Sequence, residues 1–169
     1  MKENNLALVS KNDLSKVEES ALNAKQLDFL LTRTPKQYVK QRPAKGGGTW
    51  SYVSGGYVKK VLNLMFGFKW NFEIMDEMLL DTEVVVKGKL TVETPTGIIV
   101  KMQYGNKDRI KRRDGGYLST GNDMKAACTD CLKKCAAELG IAADIYNAEE
   151  FKEVKIAEAQ PNYENLLGE

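Results

Sequence analysis

A chain of 169 residues, 43% of them hydrophobic, can bury one ordinary core, so one domain with tails is expected. No run approaches the roughly 18 apolar residues of a membrane span, and Met1 to Ser10 lacks the basic-then-apolar pattern of a signal peptide, so an intracellular, cytoplasmic protein with no membrane partner is expected. The net charge of +2 conceals a segregation: residues 32–139 hold nineteen Lys and Arg against eleven Asp and Glu, and residues 140–169 hold two against seven, which describes a polyanion-binding body with an acidic end.

Residues 1–14 are polar and read as a flexible N-terminus ahead of a single folded unit over residues 15–147. A first helix is predicted from about Ser15 to Leu31, where Val17, Ala21, Ala24, Leu27 and Leu31 recur at three- and four-residue steps. Thr34-Pro35 reads as an N-cap with proline at the first helical position, opening a short helix that carries Tyr38, Val39, Lys40 and Arg42. Arg42 to Gly48, with Pro43 and three consecutive glycines, is expected to be a mobile or tightly turned basic loop. Trp50, Tyr52 and Val53 suggest a short strand, and Tyr57 to Phe66 a helix with Val58, Val61, Leu62 and Met65 buried and Gly67 as its stop. Three strands follow, at about Trp70–Leu79, Glu83–Glu93 and Ile98–Tyr104; their short links make them an antiparallel meander. The middle strand alternates, with Val84, Val86, Gly88, Leu90 and Val92 on one face. Residues 105–121, rich in Gly and basic groups, read as a long exposed loop or hairpin tip. A long helix is predicted from Asn122 to Leu139, with Gly140 as its stop, and residues 148–169 form an acidic helix and tail.

The long helix has two distinct stripes. Met124, Cys128, Cys131 or Leu132, Cys135 and Leu139 face a core, whereas Lys125, Thr129 and Lys133 recur at four-residue spacing with no acid in line. Lys134 can pair with Asp130 or Glu138, four residues either way. A lysine stripe suits a phosphate backbone; a merely solvated helix face would look the same. Arg42, Lys45 and the glycines after it could hold phosphates through backbone N–H groups and a guanidinium fork, although Gly48-Thr49-Trp50 leads into a strand and so departs from a nucleotide-binding loop. Cys128, Cys131 and Cys135 fall on the apolar helix face, and the chain has no histidine to complete a metal site or serve as a catalytic base, so buried thiols, no catalytic residue, no metal and no cofactor are expected. The alternative is a metal-dependent nuclease built from Glu73, Asp76, Glu77, Asp81 and Glu83, the only acidic cluster in the basic body. Trp50, Tyr52, Tyr57, Trp70 and Tyr104 include candidate base-stacking platforms, though aromatics at strand spacing also build cores.

Two ordered motifs go further. Tyr38-Val39-x-x-Arg42 with Gly46-Gly47-Gly48, then Tyr52-Val53-x-Gly55 and Val61-x-Asn63-x-x-Phe66-Gly67-Phe68-x-Trp70, resembles the Rad52 family of recombination mediators, with the short phage Sak-type annealing proteins nearest in length. Lys125-x-Ala127-x-Thr129-Asp130-x-Leu132-Lys133-Lys134 is similar to that family's Lys-x-Ala-x-Thr-Asp-x-Leu-Lys-Arg helix, and together the motifs cover about residues 30–147. The resemblance implies an α+β fold of β-β-β-α type, with a three-stranded antiparallel sheet packed on the long helix, and protomers joined in an oligomeric ring. It implies sequence-independent binding of single-stranded DNA and annealing of complementary strands in recombination and repair, by a protein that is not an enzyme and that belongs to a phage or prophage in a bacterial host. Carried over by position, Arg42, Lys125, Lys133 and Lys134 would contact the backbone in an inner groove that Tyr52 lines, with Lys45 beside them. Lys107, Arg109, Lys111, Arg112 and Arg113 fall where the family has a second, outer DNA site, though the family's basic spacing is not reproduced there. Lys134 replaces the usual arginine and Ala137 a frequent basic residue, so groove contacts are shared differently. The region that recruits a recombinase in eukaryotic members has no counterpart, which favours plain annealing, and the acidic end is expected to meet a partner such as a single-strand-binding protein.

Overall fold

Helix α1 (Ala24–Leu30) opens on a capping box: the Asn23 side chain accepts from the Gln26 backbone N–H, and Gln26 Oε1 accepts from the Asn23 N–H, both at 2.9 Å. The computed structural model describes residues 21–44 and 46–147. The expected N-terminal segment, the first helical residues 15–20, Lys45 and the acidic end from 148 therefore lie outside the described residues.

Thr34 does not cap a helix. Its backbone N–H and hydroxyl both donate to the Asp144 carboxylate, at 3.0 and 2.6 Å, and only a single 3-10 turn, Lys36–Tyr38, follows Pro35. The tertiary acceptor outcompetes the local one. Strand β1 (Lys40–Pro43) then pairs antiparallel with β2 (Thr49–Tyr52), so Arg42 and Pro43 belong to a strand and the expected loop shrinks to residues 44–48. Pro43 is tolerated because it ends its strand at the sheet's margin. Ser54 accepts the Tyr57 N–H at 3.1 Å and starts α2 (Gly55–Phe66), which buries Val58, Val61, Leu62 and Phe66 and stops at Gly67 in the left-handed region.

Strands β3 (Trp70–Leu79), β4 (Glu83–Thr94) and β5 (Gly97–Asp108) form one antiparallel sheet in that order. The meander agrees with the sequence expectation, except that β5 runs on past Tyr104 because Val86 to Glu83 pair with Gly105 to Asp108; this consumes the first residues of the predicted loop. In β4 every residue expected to face inward is buried. Helix α3 (Thr120–Ala137), starting two residues before the predicted Asn122, packs mainly over β4 and β5, and a short α4 (Ala143–Tyr146) follows. The approach is close enough to require glycine at two sheet positions: a Cβ on Gly105 would lie 2.6 Å from Cys131 Cα, and one on Gly88 would lie 2.7 Å from Cys131 Sγ.

Because α3 covers β4 and β5, the far half of β3 is left open, with Ile74, Met75, Met78, Leu79 and Leu80 each 43–55% exposed. On β5, Ile98, Val100, Met102 and Tyr104 pair with outward-facing β4 residues and form a second open apolar row. Among the described residues, no helix is long and apolar enough to cross a membrane.

Candidate nucleic-acid interface

Arg42 lies diagonally across the β1–β2 hairpin from Tyr52, its guanidinium carbon 5.9 Å from the ring centroid, at the edge of cation–π range. Both are held by strand register: Lys40 pairs with Tyr52 and Arg42 with Trp50, whose side chain is exposed. The connecting loop is pinned by Ala44 N–H to Gly48 O (3.1 Å) and Gly47 N–H to Ala44 O (3.2 Å). Gly47 and Gly48 have φ of 90° and 82°, a region costly for other residues, and open space around their α-carbons.

The hairpin is tied to the long helix through a residue that sequence reasoning missed. Tyr146 Oη accepts the Val53 N–H at 3.2 Å and donates back to Val53 O at 3.4 Å, while Lys133 Nζ sits 5.4 Å from the Tyr146 ring centroid. Tyr146 belongs to a four-residue helix entered through Ala142 in the left-handed region, so no hydrophobic period marks it. Beside this junction the start of α2 touches the middle of α3: a Cβ on Gly55 would lie 2.5 Å from Thr129 Cγ2. Arg42, Tyr52, Thr129 and Lys133 thus sit on adjoining elements.

The lysines are not as free as their spacing suggested. Asp130 Oδ2 is 3.0 Å from Lys134, as four-residue spacing allows, but Asp130 Oδ1 is also 3.7 Å from Lys133, three residues on. The same carboxylate accepts the Asn106 N–H at 3.3 Å. Lys133 therefore has an acid in reach, correcting the expectation of an unneutralised stripe, and its side chain is only 14% exposed. One carboxylate against two ammonium groups still leaves a net positive charge at this spot. Lys125 is exposed and makes no ion pair among the described residues. Next to Thr129 a cleft of about 370 Å³ opens between α2, β3 and α3, lined by Lys59, Trp70, Asn71, Phe72, Cys128 and Leu132. Trp70 and Phe72 are half-buried, and Trp70 Nε1 donates to Asn63 at 2.7 Å, so Trp70 is anchored as a wall residue. Tyr57 packs on Tyr38 with ring centroids 4.8 Å apart.

The second basic group divides. Lys107 is half-buried within β5, and Arg109 is enclosed against Tyr117, whereas Lys111, Arg112 and Arg113 are exposed on a hairpin closed by the Lys111–Tyr117 bridge.

The carboxylates of the nuclease alternative do not converge. Glu73 pairs with Lys89, Asp81 accepts from the Tyr117 hydroxyl, Glu83 accepts from Asn106 Nδ2, and Glu77 pairs in register with inward-facing Val86. Among the described residues no group of three His, Cys, Asp or Glu is placed to hold a metal. Cys131 and Cys135 are fully buried and Cys128 packs against the core, all three as free thiols. Cys131 Sγ lies 3.1 Å from Gln103 O, and its hydrogen bond with Cys135, followed by burial, pushes its thiol pKa up.

A model of the Rad52/22 family double-strand break repair protein matches residues 23–163. The chain is also similar to the DNA repair and recombination protein rti1 of Schizosaccharomyces pombe, at 28% identity over 159 residues, covering 85% of this chain and 42% of that one. It therefore spans less than half the length of this relative.

Proposed function

The chain belongs to the Rad52/22 family of double-strand break repair proteins, and from that premise we propose that it binds single-stranded DNA by its phosphates and anneals complementary strands. The observation that carries this reading is the junction of hairpin, α2, α3 and α4, which brings Arg42, Tyr52, Thr129 and Lys133 onto adjoining elements with net positive charge. Lys125, Lys134 and Lys45 extend the same surface, the last outside the described residues. Phosphate gripping is independent of sequence and leaves bases free to pair. The duplex supplies the driving free energy, about 1.4 kcal/mol per base-pair step, so neither cofactor nor bond chemistry is required.

Assembly into a ring is part of the proposal. The open apolar patch on β3 and the apolar row on β5 lie on opposite edges of one sheet, so a contact between them is head-to-tail and propagates until it closes. Acidic Glu73, Asp76 and Glu77 on β3 and basic Lys101 and Lys107 on β5 complement such a contact. The acidic end is proposed to meet a single-strand-binding protein.

The deciding experiment mixes labelled complementary strands with the full chain, in magnesium or manganese, and follows both duplex yield and strand length. Accelerated annealing with intact strands is expected, and Lys133→Ala should flatten the salt dependence of single-strand binding by about one unit, the share of a single phosphate. Shortened strands, or an unaltered salt slope, would overturn the mechanism and the site respectively.

A further inference from the structure

Arg109 leaves β5 at the point where three separate segments meet. Its backbone N–H donates to Thr82 O at 2.8 Å, Nη1 donates to Leu80 O at 2.8 Å, and Nη2 reaches Thr120 Oγ1 at 3.4 Å. Its guanidinium carbon lies 3.3 Å from the Tyr117 ring centroid, and Nε is buried. The Tyr117 hydroxyl turns back to Asp81, 3.0 Å from its carbonyl oxygen and 3.3 Å from Oδ1. One stacked pair thus joins the β3–β4 turn, the first residue of α3, and the hairpin between them.

The hairpin needs such a brace. Arg109, Lys111, Arg112 and Arg113 are four cations in five residues, and like charges at this spacing repel. Its own bonds are few: Leu118 N–H to Ile110 O at 2.9 Å, Arg112 N–H to Gly116 O at 2.6 Å, and Arg112 Nη2 to Leu118 O at 3.2 Å. Isolated two-stranded hairpins are marginal in water. Arg109 has one face covered, Nε buried and both terminal nitrogens engaged, so it has no free fork for a phosphate. Lys111 and Arg113 are exposed, as is most of Arg112.

We propose that Arg109 and Tyr117 are positioning residues that hold a cationic hairpin rigid, and that Lys111, Arg112 and Arg113 take phosphates of a second polynucleotide strand. The ligand assignment rests on the annealing reading; the brace does not. A pre-ordered hairpin loses less freedom on binding than a floppy one, which is how a residue that touches no ligand affects capture.

The test uses full-length wild type, Tyr117→Phe, Tyr117→Leu, Arg109→Lys and the double variant Arg112→Ala/Arg113→Ala. Limited trypsin digestion, with products mapped by mass, reads cleavage after residues 111–113, and cleavage elsewhere serves as the internal control for folding. Cleavage of the hairpin should be about tenfold faster in Tyr117→Leu and Arg109→Lys, the factor for removing a desolvated cation–π stack, while Tyr117→Phe, which keeps the stack, stays close to wild type. Unchanged hairpin cleavage in Tyr117→Leu overturns the brace. Separately, protein preloaded with one strand is offered a labelled second strand. Tyr117→Leu and the double variant should both lose capture while first-strand affinity holds, and only the double variant should flatten the salt slope, by up to about two units. Faster cleavage with normal capture in both variants would leave the brace standing and overturn the ligand, without touching first-strand binding or annealing.

Discussion

A hydrogen is the largest substituent that fits at position 105, where α3 crosses β5 with Cys131 and Ala127 directly above the strand. Gly105→Ala should therefore cost about 1–3 kcal/mol, the usual range for overpacking, seen as a lower urea midpoint with unchanged slope. Cys128 sits on the flank of the same helix. Burial, then the nearby Glu77 carboxylate, raise its thiol pKa above the ordinary value of 9.0. A raised folded-state pKa means that its contribution to stability is complete below about pH 9 and is lost as pH rises further, because the unfolded chain ionises first. Denaturant titrations of wild type and Cys128→Ala at neutral and alkaline pH should show a shallower alkaline loss in the variant. The burial of these thiols was legible from their place on the helix's apolar stripe; the proximity of Glu77 was not, since it depends on sheet register.

At the scale of elements, α3 does two things with two faces. The face toward the sheet followed from period alone, because Cys131, Leu132 and Cys135 recur where a 3.6-residue helix must bury them. The lysine face was read with one error: four-residue spacing overlooked Asp130, which on a real helix reaches the lysine three residues on as well as the one four residues on. Asp130→Asn should release both, steepening the salt dependence of single-strand binding by up to about one unit and costing only about 0.3–0.5 kcal/mol of stability for the exposed pair. Fluorescence anisotropy across a salt series measures the first, thermal melting the second, and an unchanged slope would place both lysines off the phosphate path. The β1–β2 hairpin was half legible. Trp50 and Tyr52 signalled a strand, but nothing local showed that Lys40–Pro43 would pair with it, because Pro43 and the glycines dominate any local reading.

At the scale of the molecule, the sheet is asymmetrically covered, and both of its open edges carry apolar side chains that a lone protomer leaves in water. Met102→Asp, at a side chain 55% exposed, should convert the assembly to smaller species by light scattering while circular dichroism stays unchanged. Persistence of the large species would remove β5 from the interface. If annealing needs the assembly, the same variant should lose annealing more than it loses strand binding.

Residue order was enough to set the elements and their inner faces. Alternation along β4, helical period in α2 and α3, and glycine stops are local signals that each segment carries whatever surrounds it. The motifs also sufficed to identify the family. What those elements do to one another emerged only in the folded chain: Asp144 taking Thr34 away from a helix cap, Tyr146 joining Val53 to Lys133, and Arg109 committed to Tyr117. Each joins residues or segments whose pairing no periodicity encodes, and it forms because a buried polar or charged group must find its partner wherever packing places one.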